Sequence, residues 1–187
     1  MPTLLHTTRL SFIPATREIL SADLNDRCGL SHLLGAAVPA AWPPPLMDKR
    51  VIREFLRMMD DPAGPLFTAW YWVLNNQATG TGTLIGNGGI LSAEVRMDTA
   101  VLGYSVLKEF WGRGYATEAV GALVPAIFSL PGITRIVATT YPDLTASIRV
   151  LEKNGFVRTG EVPAGTGVEE GTVCYLREKE CPLSGRR

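Results

Sequence analysis

The sequence predicts a single mixed α/β (α+β) domain, and three observations carry that expectation. The chain has 187 residues, close to the roughly 150 of an ordinary domain. Apolar residues make up 46% of it and charged residues 19%, a balance that can build a core and excludes a wholly disordered chain. The hydrophobic pattern also changes along the chain: a run of strand-like segments occupies the middle, and strand-like and helix-like segments alternate after it.

The elements follow in order. Residues 9–13 read as a strand ending at Pro14, and 16–24 and 30–34 as short helices. The segment 36–46, AAVPAAWPPPL, holds three consecutive prolines, which forbid a helix and favour extended chain. Residues 48–59 read as a helix, with Val51, Ile52, Phe55, Leu56 and Met59 on one face and Asp48 as its cap. Strands are expected at 67–74, 83–90 and 101–107, with Asn75 and Asn76 as a turn and Gly86, Gly88 and Gly89 as a bend or bulge. Residues 115–128 are the best amphipathic helix: Ala116, Ala119, Val120, Leu123, Val124, Ile127 and Phe128 share a face. Pro125 is expected to kink it, with Gly121 reducing crowding one turn earlier. A strand at 133–139 and a helix at 145–153 come next. Asn154 and Gly155 stop that helix, with Phe156 packing back on Leu151. Residues 156–161 and 172–177 read as a final hairpin with 162–171 as its connector, and 179–187 as a frayed tail.

Several function classes are disfavoured at once. Eighteen Lys and Arg balance eighteen Asp and Glu, so neither nucleic acid nor an anionic membrane is expected as partner. The longest apolar run, 119–130, is interrupted by Pro125 and falls short of the roughly 20 residues a membrane span needs. The first 15 residues carry no signal-peptide block. Cys28, Cys174 and Cys181 are odd in number and lack CxxC spacing, so neither a disulfide framework nor a metal site is expected. The cytoplasm is the natural compartment.

Chemistry concentrates in residues 103–119, GYSVLKEFWGRGYATEA. A strand ends near Leu107, a loop with Gly112 and Gly114 follows, and a helix begins near Tyr115. Glycines bring bare amides close to a ligand. The first N–H groups of a helix lack partners within it, and its dipole favours an anion there. Arg113 adds a charged fork. The loop lacks the Gly-Lys-Ser/Thr of a P-loop, and Thr117 stands where a dinucleotide fingerprint needs its third glycine. On local pattern a tight strand–helix turn and a pyrophosphate site both remain open.

WGRGYATEA, followed some 30 residues on by ASIRVLEKNGF, resembles the GNAT superfamily of acyl-CoA-dependent N-acetyltransferases. The likeness is closest to its Rim-type branch, which includes ribosomal-protein N-terminal acetyltransferases. The resemblance covers residues 9–177 and is weaker before residue 65. It implies one N-acetyltransferase-like domain over 1–187, with its core in about 9–177. It implies a mixed, mostly antiparallel central sheet flanked by helices, two strands splaying apart to admit acetyl-CoA. Ser105, Val106 and Leu107 would bond the pantetheine arm through their backbones. The amides of Trp111, Gly112, Arg113, Gly114, Tyr115, Ala116 and Thr117 would hold the pyrophosphate. Ser147 would stand near the CoA sulfur as a proton donor, its bland alternative being a helix cap. Arg149 would either help the phosphates or be solvated, and Glu118 and Glu152 would serve helix surfaces. Dimers are common in the family, which allows a homodimer.

Three positions depart from the family pattern. Val101 stands where an acidic base is frequent, Trp111 where Gln or Arg is frequent, and Leu144 where Asn is frequent. The amide cradle does not depend on the last two, but Val101 removes the usual base. Substitute bases are His32, whose residue type titrates near neutrality, Glu94 and Glu109. The acceptor wall would come from 30–46, including Trp42, and from 162–171. Glu161, Glu169 and Glu170 would attract a cationic amine. Trp70, Tyr71 and Trp72 alternate across their strand. The expected function is transfer of acetyl from acetyl-CoA to a primary amine, small molecule or peptide N-terminus, by direct attack. The alternatives are a non-catalytic acyl-CoA-binding module and a nucleotide-binding protein.

Overall fold

Side-chain caps start the first three helices. Thr16 accepts from the Ile19 amide at 3.2 Å and opens α1 (Arg17–Asn25). Asp26 accepts from Gly29 at 2.9 Å and opens α2 (Arg27–Leu34). Asp48 takes the Arg50 and Val51 amides at 2.8 and 2.9 Å, ahead of α3 (Lys49–Asp60). Each cap satisfies a helix amide that otherwise has no partner. The computed structural model describes residues 5–60, 67–76, 78, 80–92, 98–161 and 171–180.

The strands are β1 (Leu5–His6), β2 (Leu10–Pro14), β3 (Ala36–Ala37), β4 (Phe67–Leu74), β5 (Gly82–Ser92), β6 (Thr99–Val106), β7 (Arg135–Thr140), β8 (Val157–Glu161) and β9 (Val173–Glu178). Helices α4 (Tyr115–Phe128) and α5 (Thr145–Lys153) flank β7 in sequence. Among the described residues the strands form one sheet, ordered β1-β2-β4-β5-β6-β7-β9-β8, with β3 pairing β5. The β6–β7 and β3–β5 pairs are parallel and the rest antiparallel, as the mixed, mostly antiparallel expectation has it. The proline-rich segment supplies β3 and then turns, so part of it is strand.

Two apolar layers cover the sheet. One packs α4 and α5 on it through Val120, Leu123, Ile127 and Leu151. The other packs α1, α2 and α3 through Leu20, Leu30, Leu34 and Ile52. Each such side chain, fully buried, contributes about 1.5–3 kcal/mol. Alternation along β4 sends Trp70 and Trp72 to the first layer and Tyr71 to the second, all buried.

The glycines of β5 serve close packing. A Cβ on Gly88 would stand 2.5 Å from the Trp72 ring, and one on Gly86 2.5 Å from the Ser105 carbonyl. The bulge lies beside them, where the register shifts between Trp72 and Val73. Gly121 has a different reason from the expected one: a Cβ there would meet Asn154 Oδ1 at 3.1 Å, and Asn154 Nδ2 donates to the Thr117 carbonyl at 3.2 Å. It lets α5 approach α4. The stop of α5 is as expected, with Phe156 N–H to Leu151 C=O at 3.1 Å, Gly155 N–H to Glu152 C=O at 3.0 Å, and Gly155 at φ +76°.

Candidate functional site

The sheet opens between β6 and β7. Their pairing covers Thr99, Ala100 and Val101 only, yet β6 runs on to Val106 and β7 to Thr140. Beyond Val101 the facing edges diverge, and each strand then passes into a helix beside the gap.

The first junction, from β6 into α4, is built of unpaired amides. Gly112 and Gly114 sit at φ +74° and +80°, the left-handed region that glycine occupies without a Cβ penalty. The first hydrogen bond of α4 runs from Glu118 N–H to Gly114 C=O at 3.0 Å. The N–H groups of Gly112, Arg113, Gly114, Tyr115, Ala116 and Thr117 donate to no acceptor among the described residues. A Cβ on Gly112 would meet nothing within 4 Å, so the turn faces open space. The Arg113 guanidinium lies 5.8 Å from the Phe110 ring centroid. Six donors, a helix N-terminus and a cation in one turn suit a multiply charged anion such as a diphosphate.

The turn is tied down from the chain's beginning. Glu118 accepts from the Thr7 hydroxyl at 2.5 Å, the Arg9 amide at 3.1 Å and Arg9 Nε at 2.6 Å. Burial pushes its carboxyl up, and these hydrogen bonds outweigh it and hold the group below the usual range. Glu118 therefore anchors rather than merely decorating the helix surface. Exposed Glu152 has no such role.

The edge of β6 needs one correction. Leu107 donates its N–H to Ile85 at 2.8 Å and accepts from Phe110 at 2.9 Å, so its main chain is not free for a pantetheine arm. Antiparallel alternation also turns the main chain of Ser105 toward β5, while Tyr104 and Val106 point to the gap. The Val106 carbonyl accepts the Trp111 indole N–H at 2.7 Å, and that side chain is 51% exposed.

The second junction, from β7 into α5, is built of side chains. Leu144 occupies the N-cap position and gives no side-chain bond. Ser147 does not cap the helix: its hydroxyl pairs with the Tyr104 hydroxyl at 3.0 Å. Burial pushes the Tyr104 phenol up to about 12, against the opposing pull of that hydrogen bond, so it is protonated at neutral pH. Tyr104 stacks on Trp72 at 6.4 Å. No local motif singles out Tyr104, although alternation along β6 sets it beside Leu102 and Val106 on the face under α4 and α5.

On the other face, residues 38–47 cross the sheet as a strap. Ser105 donates its hydroxyl to the Pro45 carbonyl, and Asn87, its partner across β5 and β6, donates to Met47 Sδ at 3.1 Å. Leu46 lies between these ties at φ +67° and is 72% exposed. Trp42 is not an exposed wall. It is buried, and its indole N–H meets Asp23 at 2.7 Å, as does the Tyr71 hydroxyl. Burial pushes Asp23 up, against those two hydrogen bonds and the Arg27 charge.

His32, Glu109 and Arg149 are exposed, and no described contact brings them to the gap. Val101 is half-buried on β6. Glu94, Glu169, Glu170, Cys181 and the Glu161 side chain lie outside the described residues, as does 162–170 of the acceptor connector. Among the described residues no group of three or more His, Cys, Asp or Glu could hold a metal, and no helix is long and apolar enough to cross a membrane.

Residues 22–157 match the family model for the acetyltransferase (GNAT) domain. The chain is 36% identical over 80 residues to YoaA of Bacillus subtilis, named as an uncharacterized N-acetyltransferase; the match covers 43% of this chain and 45% of that relative. The chain thus spans about half the length of such curated relatives. Two solved structures are similar in fold. RimL, a ribosomal-protein α-N-acetyltransferase solved with coenzyme A, has a TM-score of 0.61 at 19% identity, over 92% of this chain and 95% of its own. Mycobacterium smegmatis RimJ, solved with a CoA disulfide, has 0.60 at 20% identity, over 95% and 88%.

Proposed function

The chain belongs to the acetyltransferase (GNAT) domain family, and from that premise we propose that it transfers the acetyl group of acetyl-CoA to a primary amine, on a small molecule or a peptide N-terminus. One observation carries the proposal: six consecutive amides, from Gly112 to Thr117, unpaired among the described residues and beside a gap where β6 leaves β7. The coenzyme A held by RimL and RimJ supports the same ligand here.

Acetyl-CoA, when bound, supplies an activated acyl group and a thiol leaving group. The residues of this chain do the rest. The amides of Gly112 to Thr117 and the Arg113 guanidinium hold the diphosphate. Tyr104 and Val106, whose main-chain groups face the gap, hold the pantetheine arm, and the Val106 N–H is a donor for a developing oxyanion. Ser147, with its hydroxyl on that of Tyr104, holds a proton beside the leaving sulfur. Fixing amine and acyl carbon together supplies most of the rate, and attack is direct with no covalent enzyme intermediate. The strap at 38–47 borders the acceptor, and an amine already neutral at working pH needs little base.

Val101 favours a second reading, an acyl-CoA-binding module without turnover, because it leaves no carboxylate on β6 in the gap. A thiol-release assay over a panel of amines and N-terminal peptides, with acetyl-CoA, separates the two. Amine-dependent release supports the transferase. Tight CoA binding with no release on any amine supports the module.

A further inference from the structure

Resting on the coenzyme reading above, we infer that Arg9 is a further diphosphate-binding residue, delivered to the turn from the start of β2. It lies outside the segment 103–119 that carries the amide cradle. Its side chain already spans the turn: Nε donates to Glu118 Oε2 at 2.6 Å, Nη1 donates to the Arg113 carbonyl at 3.0 Å, and the guanidinium carbon lies 4.4 Å from the Tyr115 ring centroid.

Those contacts use Nε and Nη1. Nη2 donates to nothing among the described residues, and it lies 3.6 Å from where a Cβ on Gly114 would stand. An arginine carries five N–H donors in a rigid fork. Two are committed here, and the free end is held against the turn whose amides are also unpaired. The side chain is 42% exposed, so an arriving anion can reach it.

The charge count points the same way. Glu118 is ionised one turn into α4, where a carboxylate would oppose an incoming diphosphate. Arg9 cancels that charge and lets Arg113 and the helix dipole act on the ligand. Ring contact and two hydrogen bonds fix the guanidinium in advance, which lowers the ordering cost of one more charged contact.

The test titrates CoA and 3′-dephospho-CoA into the wild-type chain, Arg9→Gln and Glu118→Gln. Glu118→Gln breaks the same ion pair but leaves the Arg9 charge, so it controls for a merely structural tether. Arg9→Gln is expected to weaken both ligands by roughly tenfold or more, and by clearly more than Glu118→Gln, which loosens the tether but keeps the Arg9 charge. Equal loss in the two variants would reduce Arg9 to a tether and overturn the inference. So would wild-type affinity in Arg9→Gln. A loss seen with CoA but absent with 3′-dephospho-CoA would assign Arg9 to the 3′-phosphate and overturn the diphosphate contact. A wild-type chain that takes up no CoA overturns the coenzyme reading itself and this inference with it, and that result is visible before any variant is made.

Discussion

The cradle at 112–117 and the strap at 38–47 lie at the same sheet opening and are held by opposite means. The cradle owes its shape to two glycines at positive φ and leaves its amides bare. The strap owes its shape to its neighbours: Ser105 and Asn87 tie it to the sheet, and Asp23 holds Trp42 beneath α1. Its one residue at positive φ is Leu46, a side chain that disfavours that conformation. A backbone site built from glycine selects anions through its bare amides, and arginine side chains add charge to it. A side-chain-built strap can change what it admits without touching the coenzyme. In the proposed reaction this would make the coenzyme half and the acceptor half separable.

The largest effect is expected from Gly114→Val. The substitution forces a β-branched residue toward φ +80°, costs on the order of 1–2 kcal/mol or more in backbone strain, and pulls the amides out of line. CoA affinity measured by calorimetry should fall by roughly 100-fold, about 2.7 kcal/mol, with the near-ultraviolet circular dichroism of the buried tryptophans retained. Unchanged affinity would break the comparison on its cradle side.

Asp23→Ala addresses the strap. It strands the Trp42 indole N–H and the Tyr71 hydroxyl, each a buried donor, and should destabilise the chain by about 2–4 kcal/mol in urea unfolding while CoA affinity holds. The same carboxyl sets a pH signature. Burial raises it above its unfolded value, so its contribution is fully present below the unfolded value and is lost as pH rises through the folded one. Thermal melts of wild type against Asp23→Ala should show that acid-side gain only in the wild type.

Ser147→Ala and Tyr104→Phe sharpen the same separation from the chemistry side. Each should lower turnover by about tenfold to 100-fold with CoA affinity unchanged, and the double variant should lose no more than the worse single one, because the two hydroxyls act as one pair. The smallest effect belongs to Glu118→Gln. The Glu118 carboxyl is held below its ordinary value, so its stabilisation is present above the unfolded carboxylate value and is lost as pH falls through the folded one. The gap in melting temperature between wild type and variant should close on acidification.

The same contrast explains what was legible in the sequence. Gly112, Gly114, the apolar face of α4 and the Gly155 stop are local features, and local features are written in local patterns. The divergence of β6 from β7 came from the family resemblance, and the pairing that stops at Val101 agrees with it. Missing from the local reading were contacts between residues far apart in sequence: Tyr104 with Ser147, Arg9 with Glu118, Asp23 with Trp42. No spacing rule announces those. The Leu107 N–H is taken up by the Ile85 carbonyl, another contact between residues far apart in sequence.

Amide hydrogen exchange tests the central claim most directly. Among the described residues Gly112 to Thr117 have no acceptor, so they should exchange fast, and saturating CoA should protect them as a group while leaving the strap at 38–47 unchanged. CoA that binds without slowing exchange anywhere in 112–117 would contradict the account.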